Sequence, residues 1–354
     1  MIDLDDRRAI DAADPGGMLA AVERLSKQCG EGYAIGTSIE GLPDPTGLSG
    51  VVISGMGSSA VAGDVLRSLY RGRLGLPIEV NRSPQLPAWC GPATLLLVVS
   101  YSGNTAEALV AFEEARARGC RLCAITSGGS LAREAAAAGI PVVRIPGGFM
   151  PRAAFGYVAL STLGALESMG LLPRLGDDVA ETIAELEALA ERLGPGMPRP
   201  HNDAKELAWR IGDRTPVIWG AEGIGSVAAA RWKTQLNENA KVPAWSSALP
   251  ELDHNEVVGW RSSFGGSYFV VALRHEGETS DVSVRFPPTI EIATEAGAAV
   301  HEVWAAGRSP LARLFSLVMM GDFVSTYHGI GHGVDPSPIE PIARLKAALA
   351  EAGR

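Results

Sequence analysis

Hydroxyl side chains gather where two apolar runs of this chain stop. The run Leu95-Leu96-Leu97-Val98-Val99 ends at Ser100-Tyr101-Ser102-Gly103-Asn104-Thr105, and a helical pattern then starts at Ala106 with Leu109, Val110 and Phe112. A buried parallel strand feeding a helix through a tight loop has this form. Ser100, Ser102 and Thr105 supply hydroxyls, and Gly103 lets the backbone come close to a ligand. Free N–H groups at the helix start complete a site that suits a phosphate. No lysine lies in the loop, which excludes a Walker P-loop. The same hydroxyls also serve as ordinary helix caps, and this loop alone leaves both readings open. A second stretch, Val51-Val52-Ile53-Ser54-Gly55-Met56-Gly57-Ser58-Ser59-Ala60, repeats the form and offers Gly57, Ser58 and Ser59. A third runs from Ala124 to Leu131. Three such turns lie together at the carboxyl ends of a parallel sheet, where ligands of open α/β folds bind.

Other candidates are isolated. Asn237-Glu238-Asn239-Ala240-Lys241 places one carboxylate between two amides at an expected helix end, which by itself is a polar terminus. Arg152 follows Pro151 at the start of an expected long helix, where a lone cation is unfavourable unless an anion comes near it. Histidine is a residue type that can serve as both acid and base, so His254 is open to that role or to that of a surface or capping histidine. Cys120 and Cys123 form a lone CxxC with no second pair or nearby histidine to complete a zinc site. His328 and His332 are spaced i, i+4 but lie among glycines, so no metal is expected there.

The elements that must position these groups alternate. Strands are predicted at 51–54, 77–80, 94–99, 121–125 and 141–145, with helices between several of them, which makes a doubly wound parallel sheet. Two packing helices, Leu4 to Ala13 and Gly17 to Gln28, are expected before it. The Gly/Pro-rich stretch 194–200 reads as a linker. The expected organisation is a helical segment at 1–48, a first α/β domain at 49–193, the linker, and a second domain at 201–354. The second half repeats the first in outline: Pro216 to Ala228 mirrors Val51 to Val61, Tyr268 to Arg274 mirrors Leu95 to Ser100, and Ala299 to Trp304 mirrors Pro141 to Ile145. Arg274-His275-Glu276-Gly277-Glu278 replaces the hydroxyl-rich loop in the second copy, which places phosphate binding in the first copy.

Composition narrows the class. The chain has 354 residues, 46% of them apolar, enough for two ordinary domains with a large core. A net charge of −9 with no basic run argues against nucleic acid or an anionic membrane as partner. The acidic start lacks a signal peptide's apolar stretch, no run reaches membrane-spanning length, and four cysteines make no disulfide scaffold. A cytoplasmic location is expected.

Read together, SGMGSSAVAGD and SYSGNTAE resemble the two phosphate loops of a sugar isomerase (SIS) domain. PRAA at 151–154, NENAK at 237–241, PELDHNE at 250–256 and the closing segment from Gly333 to Lys346 resemble those of the bifunctional phosphoglucose/phosphomannose isomerase family. The resemblance implies two SIS-type, flavodoxin-like subdomains with flanking helices. It also implies a hexose 6-phosphate substrate, no metal or cofactor, and a homodimer with a shared active site. It gives Glu238 the role of catalytic base, Arg152 that of enediolate stabiliser, and His254, from the partner subunit, that of ring opener assisted by Lys346. The phosphate would fall to Gly57, Ser58, Ser59, Ser100, Ser102 and Thr105. Ser58 and Ala60 stand where the family more often has glycines, Asp253 replaces an asparagine beside His254, and Phe155-Gly156-Tyr157 replaces the usual leucine-proline. Two other classes are compatible with parts of the chain. Gly55 to Ala60 fits the G-x-G-x-x-A fingerprint of a dinucleotide oxidoreductase, although the loop at 100–105 has no role there. A non-catalytic sugar phosphate sensor would need an output module, and none is evident.

Overall fold

The computed structural model describes residues 2–261 and 264–351. Helices α1 (Arg7–Ala13), α2 (Met18–Glu23) and α3 (Leu25–Thr37) precede β1 (Gly50–Ser54). Then come α4 (Ser58–Tyr70), β2 (Ile78–Asn81), β3 (Thr94–Val99), α5 (Ala106–Ala117), β4 (Arg121–Thr126), α6 (Gly129–Ala137) and β5 (Val142–Arg144). Helices α7 (Phe155–Ser168), α8 (Gly176–Leu193) and α9 (Asp203–Ile211) lead to β6 (Thr215–Ala221), α10 (Ile224–Gln235), β7 (Trp245–Leu249) and β8 (Tyr268–Arg274). The chain continues through α11 (Ser280–Ser283), α12 (Phe286–Glu295), β9 (Ala299–Trp304), α13 (Pro310–Gly331) and α14 (Glu340–Glu351). The strands form two wholly parallel sheets, ordered β2-β1-β3-β4-β5 and β7-β6-β8-β9. β1 and β3 are buried at every residue, as unbroken apolar runs between helix layers should be. No helix among the described residues is long and apolar enough to cross a membrane.

The first four strands of each sheet share one spatial order, so the internal repeat is visible as topology. It also corrects the expected pairing of the last repeat. β9 lies beside β8 as β4 lies beside β3, so 299–304 corresponds to 121–126 and not to 141–145. The mismatch arises because a proline-led long helix follows both β5 and β9, and chain order imitates a correspondence that hydrogen bonding does not support.

The second difference lies at the N-terminus. The helix expected to end near Gln28 breaks at Arg24 and resumes as α3, which runs to Thr37. Gly30, Gly32 and Gly36 weaken the helical signal in sequence, yet they allow α3 to lie against α7. A Cβ on Gly32 would sit 2.9 Å from Tyr157 Cα, and one on Gly36 would sit 2.9 Å from the Ala165 nitrogen. Gly164 reciprocates, its Cβ position falling 2.9 Å from the Tyr33 carbonyl oxygen. The contact also fixes the start of α7. Gln28 Nε2 donates to the Ala153 carbonyl (2.7 Å), and its Oε1 accepts from the Gly156 amide (3.2 Å).

The stretch at 194–200 is pinned at its start. Asn202 Nδ2 donates to the Leu193 and Gly194 carbonyls (2.9 and 3.1 Å), and Lys205 Nζ donates to the Pro195 carbonyl (3.0 Å). By contrast, residues 340–349 on α14 are exposed.

Gly36→Ala should therefore drive α3 and α7 apart and lower stability by about 1–3 kcal/mol, the usual cost of overpacking. Gly72→Ala, whose Cβ meets nothing within 4 Å, is the control and should stay within about 0.5 kcal/mol. Urea denaturation of both variants measures the difference, and equal midpoints would show that the close approach is not required.

Candidate active site

Three turns at the carboxyl ends of the first sheet interlock. Gly57 takes φ +52° and starts α4, while Gly55 lies so close to β3 that a Cβ would sit 2.6 Å from the Val99 carbonyl oxygen. Ser59 Oγ accepts from the Tyr101 amide (3.3 Å), which ties the first turn to the second. Ser100 Oγ donates to Thr105 Oγ1 (3.0 Å), and the Asn104 amide donates to Ser102 Oγ (3.3 Å). The third turn closes on the second through Ser127 N to Tyr101 O (3.0 Å) and Leu131 N to Gly103 O (2.9 Å). Gly103, at φ +68°, has no room for a Cβ against the Gly128 carbonyl. Ser59 and Ser100 are buried, Thr105 is half-buried and Ser102 is exposed.

The carboxylate comes from the other half of the chain. After α10 the backbone widens into a π-turn, Leu236–Ala240, and Lys241 ends it in the left-handed region at φ +60°. Such turns re-aim side chains within a helix. Glu238, 29% exposed, lines a cavity of about 440 Å³ together with Gly57, Ser58, Arg82, Lys233 and Trp245. The amino end of α4 and the carboxylate thus share one cleft.

Arg152 joins them in the 3₁₀ turn Pro151–Ala154 ahead of α7. Its side chain is 1% exposed, and its Nη1 lies 3.4 Å from Glu238 Oε2. Nε donates to Asn239 Oδ1 (2.7 Å), and Nη2 donates to the carbonyls of Pro336 (2.7 Å) and Ser337 (3.1 Å). Burial pulls the guanidinium below its ordinary pKa, with Glu238 opposing that shift. Lys241 Nζ donates to the same Pro336 carbonyl (2.9 Å) and to the Glu238 carbonyl. Behind this layer lies a second pair. Arg231 Nη2 donates to Asp322 Oδ2 (2.7 Å) and to the Arg152 carbonyl (3.0 Å), and Gln235 Nε2 donates to Asp322 Oδ1 (2.9 Å). Burial pushes the Asp322 carboxyl upward, and Arg231 pulls it back. Removing one partner of such a buried pair costs about 3–5 kcal/mol.

Of the expected phosphate residues Gly57 and Ser58 line the Glu238 cavity, whereas Ser59, Ser100, Ser102 and Thr105 do not. The other expected residues lie elsewhere. His254 is exposed on the 3₁₀ turn Glu251–His254 and does not line the Glu238 cavity. The neighbouring Asp253 carboxylate, expected to act on His254, accepts from Thr289 Oγ1 (2.9 Å) and Arg285 Nη1 (3.2 Å). Lys346 is exposed on α14, also outside the cavity. His328 is buried with Nδ1 3.2 Å from the Ala208 carbonyl oxygen, and burial pulls its pKa down to about 4. Among the described residues no three His, Cys, Asp or Glu side chains converge as metal ligands. Cys29, Cys90, Cys120 and Cys123 are all buried. Burial raises their thiol pKa values, to about 11 for Cys90 and about 12 for Cys123. In the second sheet Arg274, at the end of β8, is held by Glu278 (2.8 Å) and Glu302 (2.7 Å), so ion pairs fill the place of the hydroxyl loop. Asn239, Lys241, Arg231 and Asp322 are absent from the expected site. The sequence signal for the last two is a charge set within an apolar helical stretch.

Comparison with known proteins places this architecture. Residues 50–164 match the SIS domain family, and residues 200–349 match the family described as bacterial phospho-glucose isomerase C-terminal SIS domain. The chain is 37% identical over 336 residues to the bifunctional phosphoglucose/phosphomannose isomerase of Caldicellulosiruptor bescii, covering 94% of this chain and 99% of that protein. The enzyme of that name from Thermoplasma acidophilum is 34% identical, over 85% of this chain and 90% of its own length. A protein of Sulfolobus acidocaldarius named D-glucosamine-6-phosphate 4-epimerase is 30% identical over 62% of this chain and 66% of its own length. Among solved structures, a glucose-6-phosphate isomerase like protein from Thermus thermophilus superposes with TM-score 0.63 at 19% identity, covering 96% of this chain and 99% of that one. The two-sheet architecture, the paired SIS matches and the full-length identity agree: this chain belongs to the bifunctional phosphoglucose/phosphomannose isomerase family.

Proposed function

We propose that this protein interconverts glucose 6-phosphate, mannose 6-phosphate or both with fructose 6-phosphate by a metal-free proton transfer. The observation that carries the reading is the Glu238–Arg152 pair, 3.4 Å apart, with Glu238 in the cleft onto which the amino end of α4 opens. Phosphate binds at Ser59, Ser100, Ser102 and Thr105 with the amides at Gly57 and Ser58, where helix N-termini and hydroxyls supply donors. Glu238 takes the C2 proton of the open-chain aldose, the C1 carbonyl electrons move to O1, and Arg152 Nη1 stabilises the enediolate. The O2 proton passes to O1, the same carboxylic acid returns its proton to C1, and O2 becomes the ketose carbonyl. The base and the cation are both chain residues, so the step needs no Lewis acid.

Ring opening needs a further acid–base group, and His254 and Lys346 lie outside the cavity of their own chain. The reading therefore includes a homodimer in which His254 serves the partner's site and Lys346 assists. Exposed apolar side chains support a partner surface near the cleft: Trp245 (55%), Val258 (69%) and Phe264 (67%). Trp245 lines both the Glu238 cavity and an adjoining cavity of about 410 Å³ that Trp260 and Phe264 also line. The net charge of −9 and the absence of a membrane-length helix among the described residues support a cytoplasmic enzyme.

Four measurements follow from this reading. A coupled assay across glucose, mannose and glucosamine 6-phosphates should show turnover to fructose 6-phosphate from at least one of the first two, unchanged by EDTA. Glu238→Gln should lower kcat by about 10²–10⁴-fold, the usual worth of a general base, and near-normal turnover would refute the assignment. Ser102→Ala with Thr105→Ala should raise KM for the sugar phosphate by about tenfold or more, since each hydrogen bond to a charged group contributes about 1.5–3 kcal/mol, while the fold persists. For the shared site, mixing inactive Glu238→Gln and inactive His254→Ala proteins under subunit exchange should restore part of the activity. No recovery would show that each site is built from one chain.

A further inference from the structure

A buried arginine can stabilise a transient anion only if it is aimed before the anion forms. Three of the five N–H groups of Arg152 are already committed: Nε–H to Asn239 Oδ1, and both Nη2–H groups to the Pro336 and Ser337 carbonyls. Nη1 alone faces Glu238. Two of the three acceptors are backbone carbonyls, and the third is a side chain whose orientation must itself be set. Asn239 is fully buried, and its Nδ2 donates to Ser325 Oγ (3.0 Å), which in turn donates to the Asp322 carbonyl (3.0 Å) on α13. That chain of donors fixes which amide atom faces Arg152. Gly329 lets the π-turn press on α13, since a Cβ there would sit 2.6 Å from the Asn239 carbonyl oxygen. An amide is also a neutral acceptor, so it orients the guanidinium without cancelling its charge, as a carboxylate at this position would.

We propose that Asn239, held by Ser325, is a positioning residue for the isomerisation: it locks the Arg152 guanidinium so that Nη1 meets the enediolate beside Glu238. The inference rests on the isomerase reading of the site. Loss of the Asn239 acceptor leaves a buried Nε–H unmet, and the guanidinium turns to recover a partner at the expense of Nη1.

The test compares two hexose phosphate analogues on the full-length enzyme. A five-carbon aldonohydroxamate phosphate copies the planar, anionic enediolate, and sorbitol 6-phosphate has the same phosphate and hydroxyls without that charge. Asn239→Leu should lower kcat and weaken the hydroxamate by about 10–100-fold, somewhat less than outright removal of a transition-state donor. KM and sorbitol 6-phosphate affinity should stay within about threefold, since the phosphate contacts lie on other turns. Ser325→Ala, nearly isosteric, keeps the test open should the leucine variant fold poorly. It should weaken the hydroxamate selectively by a few-fold, about the worth of one misaligned hydrogen bond. Equal weakening of both analogues, or an unchanged ratio in both variants, overturns the positioning role. A parent enzyme that isomerises while the variants keep its ratio overturns this inference alone. A parent that turns over no hexose phosphate and binds both analogues alike overturns the site reading as well.

Discussion

Burying the charge of Arg152 is the constraint on which the site depends. Taking a guanidinium out of water costs several kcal/mol unless acceptors surround it. Here the acceptors come from chain far away in sequence: Glu238 lies 86 residues on and Pro336 lies 184 residues on. Arg152 belongs to the first half, Asn239 and Glu238 to the second, and Pro336 and Ser337 to the closing segment. The ion is satisfied only when all three are in place, so assembly of the site and assembly of the tertiary structure are one event. The layer behind strengthens the link. Arg231 holds the Arg152 carbonyl while pairing with Asp322, and Gln28 holds the next turn of chain from the N-terminal side.

Charge along the cleft balances, although the protein as a whole is acidic. The protein is acidic, yet Arg82 and Lys233 line the cavity and Arg152 lies behind Glu238. Asp64 occupies Arg82 through a salt bridge, so the local field is moderated. A net negative charge opposes approach of other polyanions at long range, while fixed cations and a helix N-terminus act only within about a Debye length.

Much of the fold is legible in sequence because its signals are local. Apolar runs that stop at glycine and serine mark β1, β3 and β4 within a residue or so of their observed ends, and the three interlocking turns follow from them. What local patterns do not carry is long-range geometry. α3 is hidden because the glycines that make its packing possible are the residues that weaken a helical pattern. The match of β9 to β4 depends on which strand it bonds, which chain order misrepresents. The cation at a helix start is legible as needing an anion near it, and Glu238 meets that need. Asn239 reads as a polar neighbour because nothing in its own segment reveals the arginine from the other half. His254 and Lys346 are a different case: their roles come from family resemblance, and no pattern within one chain brings them to the cavity.

The four buried cysteines have a practical side. Thiolate is the form that alkylates and oxidises, and burial suppresses it at all four positions. The native protein is therefore close to a silent background for maleimide chemistry. A single cysteine introduced on the exposed α14 would take a fluorophore or spin label alone, with no need to strip the natural thiols first. The closing segment that meets Arg152 is thus open to spectroscopy in an otherwise unaltered enzyme.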